Sequence, residues 1–202
     1  MNSMKTLKRA KLLLVTDPRP DLAERVSSAV RGGVDIVQLR DKHASREGLL
    51  PLAEELRNIC ETGGALFTVN DDPELARLSG AAGVHIGQED GEMSAARDIL
   101  GPGSIIGRSA GTIEEARRAM SEGADYLGVG SVYPTPTKPD GDVAGLEFIR
   151  DLAREELAVP WFAIGGVTLE TASAVAEADE ILAIADAVMI ARGDLGIRLP
   201  IE

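Results

Sequence analysis

The chain has 202 residues, a formal charge of −12 and a single cysteine, Cys60. One cysteine excludes an internal disulfide, and the acidic balance argues against generic binding to nucleic acid or to an anionic membrane. With 44% hydrophobic residues, no low-complexity run and no apolar run near the ~20 residues a membrane helix needs, residues 1–202 read as one soluble, cytoplasmic globular domain.

In chain order, Met1 to Ala10 is a short basic lead-in, expected to be frayed. Leu12 to Thr16 is a continuous apolar run closed by Asp17-Pro18, a buried strand and its exit. Asp21 is expected to cap a helix with Leu22, Val26, Ala29 and Val30 on one face, ended by Gly32-Gly33. That phrase then repeats. Further strands are predicted at Ile36 to Leu39, Leu66 to Val69, Val84 to Ile86, Ile105 to Gly107, Tyr126 to Val129, Trp161 to Ile164 and Val188 to Ala191. Helical patterns between them span Ser45 to Glu61, Pro73 to Leu78, Met93 to Leu100, Thr112 to Glu122, Gly145 to Glu155 and Thr168 to Ala178. Short strands that are apolar throughout need cover on both faces, as in a closed barrel or a parallel sheet between helices. Eight βα phrases point to an α/β (βα)8 TIM barrel, with a doubly wound open sheet as the other solution.

In a barrel, chemistry gathers where strands end. After the second strand, Gln38, Arg40 and Lys42 alternate and so share a face. Two cations there are expensive unless a ligand or a carboxylate pairs them. After the third comes Asn70-Asp71-Asp72-Pro73, where one aspartate can cap a helix and leave the other for a metal. Gly87-Gln88-Glu89-Asp90 follows the fourth strand. Carboxylates from neighbouring strand ends beside cations suit Mg2+ bridging to a phosphate. Ser109 follows the fifth strand. After the sixth, three alternate prolines stiffen a loop that carries Thr135, Thr137 and Lys138, an anion clasp or else a rigid turn with solvated side chains. The Gly165-Gly166 turn after the seventh strand offers bare N–H groups to a phosphate. His85 reads as a satisfied core or lumen histidine, His43 as a surface residue, and Cys60 and Trp161 as core. No Ser-His-Asp or Cys-His set stands at the strand ends, so a protein nucleophile has little support.

Val37-Gln38-Leu39-Arg40-Asp41-Lys42, Val69-Asn70-Asp71, Gly83 to Asp90, Gly128 to Lys138 and Ala163-Ile164-Gly165-Gly166 together resemble thiamine phosphate synthase, in the right order over about Leu12 to Ala176. The resemblance implies a (βα)8 barrel joining hydroxymethylpyrimidine diphosphate to thiazole phosphate, with release of pyrophosphate. By the same resemblance, Gln38 would hold the aminopyrimidine, while Arg40, Lys42, Asn70, Ser109 and Lys138 would hold the diphosphate. Asp71 and Asp90 would bind Mg2+. Thr135, Thr137 and the Gly165-Gly166 turn would hold the thiazole phosphate. The reaction passes through a pyrimidine carbocation in the family, and Arg40, Lys42, Ser109 and Lys138 would stabilise the departing diphosphate.

The tail departs from the family. Asp179 to Glu202, with its Ala-Arg-Gly-Asp-Leu-Gly, looks like a pyruvate kinase barrel segment, as from a chimera or an exchanged tail. Ala187 to Ala191 would still supply an eighth strand, with the final helix missing or much reduced and a partner subunit as the expected cover, so a homo-oligomer is an open expectation. Ala191 and Arg192 then occupy the position of the family's Val-Ser pair at the thiazole phosphate. Asp194 adds an anion nearby, so weakened binding of that substrate is expected. Two other functions compete: a thiazole tautomerase-like relative, which carries a histidine where this chain has Gly111, and a folded but inactive barrel that binds a partner.

Overall fold

The computed structural model describes residues 3–134, 143–155 and 157–166, and the backbone of 187–191. Eight parallel strands close on themselves in sequence order: β1 (Leu12–Val15), β2 (Ile36–Leu39), β3 (Leu66–Asn70), β4 (Gly83–Ile86), β5 (Ile105–Ala110), β6 (Tyr126–Val129), β7 (Trp161–Ala163) and β8 (Ala187–Ala191). Between them run α2 (Leu22–Arg31), α3 (Arg46–Gly63), α4 (Pro73–Ser79), α5 (Met93–Leu100), α6 (Ile113–Ser121) and α7 (Gly145–Ala153), preceded by α1 (Ser3–Leu7). Closure is made by β8 on β1, from Leu12 beside Val188 to Val15 beside Ala191. It removes the two edges an open sheet would leave and settles the choice between the two predicted folds. The expected helix over Thr168 to Ala178 and the reduced final helix lie outside the described residues.

The apolar strands have two dry faces. Val37, Leu39, Phe67, Val69, Val84 and Ile86 pack outward against the helices. Leu13, Ile36, Leu66, Ile105 and Phe162 fill the lumen. That lumen corrects one expectation, because the lead-in is not frayed. It forms α1, and Leu7, 0% exposed, packs with the lumen residues. An apolar lumen open at its N-terminal end would expose these side chains, so burying Leu7 there is worth about 1.5–3 kcal/mol.

Side-chain caps start α3, α4 and α6. Ser45 accepts from the Gly48 amide at 3.2 Å. Thr112 accepts from the Glu115 amide at 3.1 Å, while the Glu115 carboxylate takes the amide of Gly111, the residue before the cap, at 2.6 Å, a variant of the capping box. Helices α5 and α7 start without such a bond, at Glu92 and Ala144, and Asp21 does not make the one expected of it. It sits at the N-cap of α2 without a capping hydrogen bond and instead accepts from Arg25 Nε at 2.7 Å. The fifth strand runs on to Ala110, because Arg108 and Ser109 stay in register with Leu127 and Gly128 of β6. No helix among the described residues is long and apolar enough to cross a membrane.

Candidate active site at the C-terminal mouth of the barrel

The two aspartates after β3 divide their work. Asp72 caps α4, accepting from the Leu75 amide at 2.9 Å, and pairs with Arg46 Nε at 2.7 Å. Against the penalty of burial, the hydrogen bond from Arg46 holds its carboxyl below the usual range. Asp71 is thereby left to the mouth. Its backbone is left-handed, with φ 62°, a conformation that costs a non-glycine residue on the order of 1 kcal/mol and that aspartate tolerates better than most. Its amide donates to the His85 carbonyl at 2.8 Å, and the Asn70 side-chain amide donates to Asp71 Oδ2.

Asp90 comes from the loop after β4. Lys42 Nζ lies 3.3 Å from Asp71 Oδ2 and 3.8 Å from Asp90 Oδ1, so one ammonium bridges carboxylates from two strand ends. Both carboxylates also crowd Gly87. A Cβ there would stand 2.1 Å from Asp90 Oδ2 and 3.9 Å from Asp71 Oδ1. Arg108, which carried no assigned role in the sequence, is what holds this loop. Its guanidinium donates to the Gly91 carbonyl at 2.7 Å and to the Gln88 carbonyl at 3.1 Å, on the two sides of Asp90. Gln88 in turn donates its side-chain amide to the Ser109 carbonyl. With the fifth strand expected to end at Gly107, no sequence signal marked this role. A cation inside a strand covered on both faces must find acceptors nearby, and Arg108 finds them in the loop after β4.

Gln38 continues the lumen face of Ile36 and is 2% exposed. Its Nε2 donates to the Tyr126 hydroxyl at 3.4 Å, which leaves Oε1 as an acceptor. Arg40 follows directly at the end of β2, its amide held by Thr16 Oγ1 at 3.1 Å. Ser109 Oγ is 2.9 Å from His85 Nε2. His85 is a lumen histidine with both ring nitrogens engaged. Burial, reinforced by the charge of Arg108, pushes its pKa down to about 4, so the ring is neutral at neutral pH.

On the other side of the mouth, the Gly165-Gly166 turn packs against the segment that leads into the proline loop. The Tyr133 amide donates to the Gly165 carbonyl at 3.0 Å. A Cβ on Gly165 would fall 2.3 Å from Ser131 Oγ, and one on Gly166 would fall 2.6 Å from Tyr133 Cβ, so only glycine fits either position. Thr135, Thr137, Lys138 and Arg192 lie outside the described residues, and Ala191 is described in backbone only, as the last residue of β8.

The donor set fits a hard divalent cation. Two carboxylates share one cationic neighbour, and among the described residues no group of three or more acidic, histidine or cysteine side chains is assembled. One or two protein carboxylates with phosphate oxygens completing the shell is the usual arrangement for Mg2+.

Residues 12–188 match the family model described as thiamine monophosphate synthase. A thiamine-phosphate synthase of Gloeobacter violaceus is 46% identical over 186 residues, covering 92% of this chain and 54% of the relative. Another, from Halorhodospira halophila, is 47% identical over 154 residues, 76% of this chain and 73% of the relative. The chain thus spans about half the length of the first of these. Among solved structures, a thiamine phosphate pyrophosphorylase from Pyrococcus furiosus is similar with a TM-score of 0.79 and 35% identity, covering 93% of this chain and 87% of that one. An N-acetylmannosamine-6-phosphate 2-epimerase from Clostridium perfringens, at 10% identity and a TM-score of 0.67, shares the fold alone. The family match ends within β8, so the residues that follow it are not covered. By its motifs, its barrel and these relatives, the chain belongs to the thiamine monophosphate synthase family.

Proposed function

We propose that the chain is a Mg2+-dependent thiamine phosphate synthase, a cytoplasmic transferase that joins hydroxymethylpyrimidine diphosphate to thiazole phosphate and releases pyrophosphate. The observation that carries this is the Lys42 ammonium between Asp71 and Asp90 at the strand ends that also present Gln38, Arg40 and Ser109. Gly111 also supports it over the tautomerase-like alternative, since its amide is bound to Glu115 and no imidazole stands there.

In this reaction the bond between the pyrimidine methylene carbon and the diphosphate oxygen breaks, and its electron pair leaves with pyrophosphate. The thiazole nitrogen lone pair then forms the new C–N bond. No protein nucleophile is needed, so Ser109, although 2.9 Å from His85 Nε2, serves the diphosphate rather than attacking carbon. Arg40, Lys42, Asn70, Ser109 and Lys138 hold the diphosphate and meet the charge that grows on it. Gln38 receives the pyrimidine amino group on Oε1 and fixes the ring. Thr135, Thr137, the Gly165-Gly166 turn, Ala191 and Arg192 seat the thiazole phosphate close to the reacting carbon. Held by Asp71 and Asp90, Mg2+ would supply Lewis-acid charge to the leaving group. The substrates are small phosphorylated molecules, residues 1–202 act as one barrel, and a second copy of the chain is the expected cover for apolar surface near its closure.

Incubation with both substrates, with Mg2+ and with chelator, tests the proposal. Thiamine phosphate and pyrophosphate in equal amounts, formed only with Mg2+, are expected. A folded chain that binds both substrates without turnover would mark an inactive binding barrel instead.

A further inference from the structure

Beneath the mouth lies a polar layer that the proposed reaction does not use. His85 on β4 and Tyr126 on β6 are 4% and 0% exposed. His85 Nδ1 is 3.1 Å from the Tyr126 hydroxyl, and Nε2 is 2.9 Å from Ser109 Oγ. Two glycines clear room for these rings. A Cβ on Gly107 would fall 2.1 Å from Tyr126 Cζ, and one on Gly128 would fall 3.0 Å from His85 Cε1. A packed lumen gives up side chains at two strand positions to admit one hydrogen-bonded pair.

We propose that Tyr126 and His85 are positioning residues that set the direction of the Ser109 hydroxyl, so that its proton points out of the lumen to the bound diphosphate. This rests on the assignment of Ser109 to the diphosphate. Proton counting carries the inference. The Tyr126 oxygen already accepts from Gln38 Nε2, so its single proton must go to an acceptor. The Thr68 hydroxyl also interacts with the phenol, but it donates to the Val37 carbonyl at 3.3 Å. Imidazole nitrogen is the better acceptor of the two, so Tyr126 donates to His85 Nδ1. A neutral imidazole carries one proton, which is then on Nε2 and is donated to Ser109 Oγ. The Ser109 hydroxyl cannot return its proton to that nitrogen and is left to donate outward. Through Tyr126 the same chain fixes Gln38, so groups assigned to both ends of the pyrimidine diphosphate share one buried anchor.

The test is 15N NMR of the imidazole in the unsubstituted protein, combined with inhibition by inorganic pyrophosphate in the presence of Mg2+. The expected spectrum has His85 protonated on Nε2 alone; protonation on Nδ1 overturns the relay. Ser109→Ala should weaken pyrophosphate inhibition about 10- to 100-fold, the range for a hydrogen bond to a charged group. His85→Phe should weaken it by a similar factor in the parent and add little in the Ser109→Ala background. His85→Gln, whose amide can donate from near the Nε2 position, should recover part of the loss. Full additivity of the two losses also overturns the relay. An Nε2-protonated His85 in a chain whose Ser109 makes no difference to pyrophosphate supports the orientation and removes the diphosphate assignment instead.

Discussion

Aspartates stand at both ends of this barrel, and they behave differently. At the N-terminal end, Asp35 precedes β2 and Asp125 precedes β6. Asp35 Oδ2 accepts from the Lys11 and Leu12 amides at 2.8 and 3.0 Å. Asp125 Oδ2 accepts from the Ile106 amide and from Arg97, both at 2.8 Å. Each saturates backbone donors that would otherwise be orphaned as a strand begins. At the C-terminal end, Asp71 and Asp90 share one Lys42, whose side chain is 47% exposed. A carboxylate tied to fixed amides holds the fold, whereas Asp90, paired with a flexible ammonium, is open to exchange that partner for a ligand. Asp71 lies between the two, since besides Lys42 it accepts from the Asn70 side chain and, at 3.4 Å, from the Gly87 amide. The lumen shows the same polarity, from apolar Leu7, Leu13 and Ile36 at the floor to Gln38, His85 and Ser109 under the mouth.

The comparison breaks most visibly at Asp90. Asp90→Ala should lower kcat/KM by about 10³-fold, comparable to the loss of one charge-stabilising group in other active sites, with thermal unfolding little changed. Steady-state kinetics beside a melting curve checks both halves. The floor should respond in the opposite sense. Leu7→Ala should cost about 2–4 kcal/mol of stability and Asp125→Ala about 2–3 kcal/mol, read by denaturant unfolding, while kcat/KM per folded molecule stays within about twofold.

A third prediction divides the mouth itself. By the resemblance, Ala191 and Arg192 stand in place of the family's Val-Ser pair with Asp194 nearby, and on that assignment the Michaelis constant for thiazole phosphate should be raised about tenfold relative to a family member with that pair, about 1.4 kcal/mol. The constant for the pyrimidine diphosphate should be ordinary. Equal constants on the thiazole side would show that the tail does not reach the site.

The effect that vanishes at neutral pH belongs to the apolar shell. Cys60 is fully buried, and desolvation pushes its thiol up to about 12 from a model-compound value of 9.0. Above pH 9 the unfolded chain loses this proton while the folded chain keeps it. Stability is therefore fully present below pH 9 and falls by about 1.4 kcal/mol per pH unit until pH 12. Comparing the pH dependence of unfolding for the parent and Cys60→Ala isolates that slope; equal slopes would place the thiol in contact with water.

The barrel was legible because each strand is apolar on both faces, and the repeated βα phrase survives one-residue errors at the ends. Asp71 was legible beside Asp72 because Asp-Pro marks a helix cap and leaves its neighbour spare. Three features were not legible, each for a physical reason. The lead-in carries only a short apolar set, since Met4, Leu7 and Ala10 are enough to cover the lumen. Arg108 sits in strand β5 where the sequence suggested an exit loop, because its acceptors are carbonyls of a different loop. His85 and Tyr126 are 41 residues apart in sequence and meet only across the lumen. Thr135, Thr137 and Lys138 keep their assignment from the resemblance alone.

Titration calorimetry of inorganic pyrophosphate into the chain most directly tests whether the acidic and basic groups of the mouth act as one site. Binding should appear with Mg2+, disappear with chelator, and be lost in Asp71→Ala and in Asp90→Ala. Equal binding with chelator, or binding indifferent to both substitutions, would contradict the account.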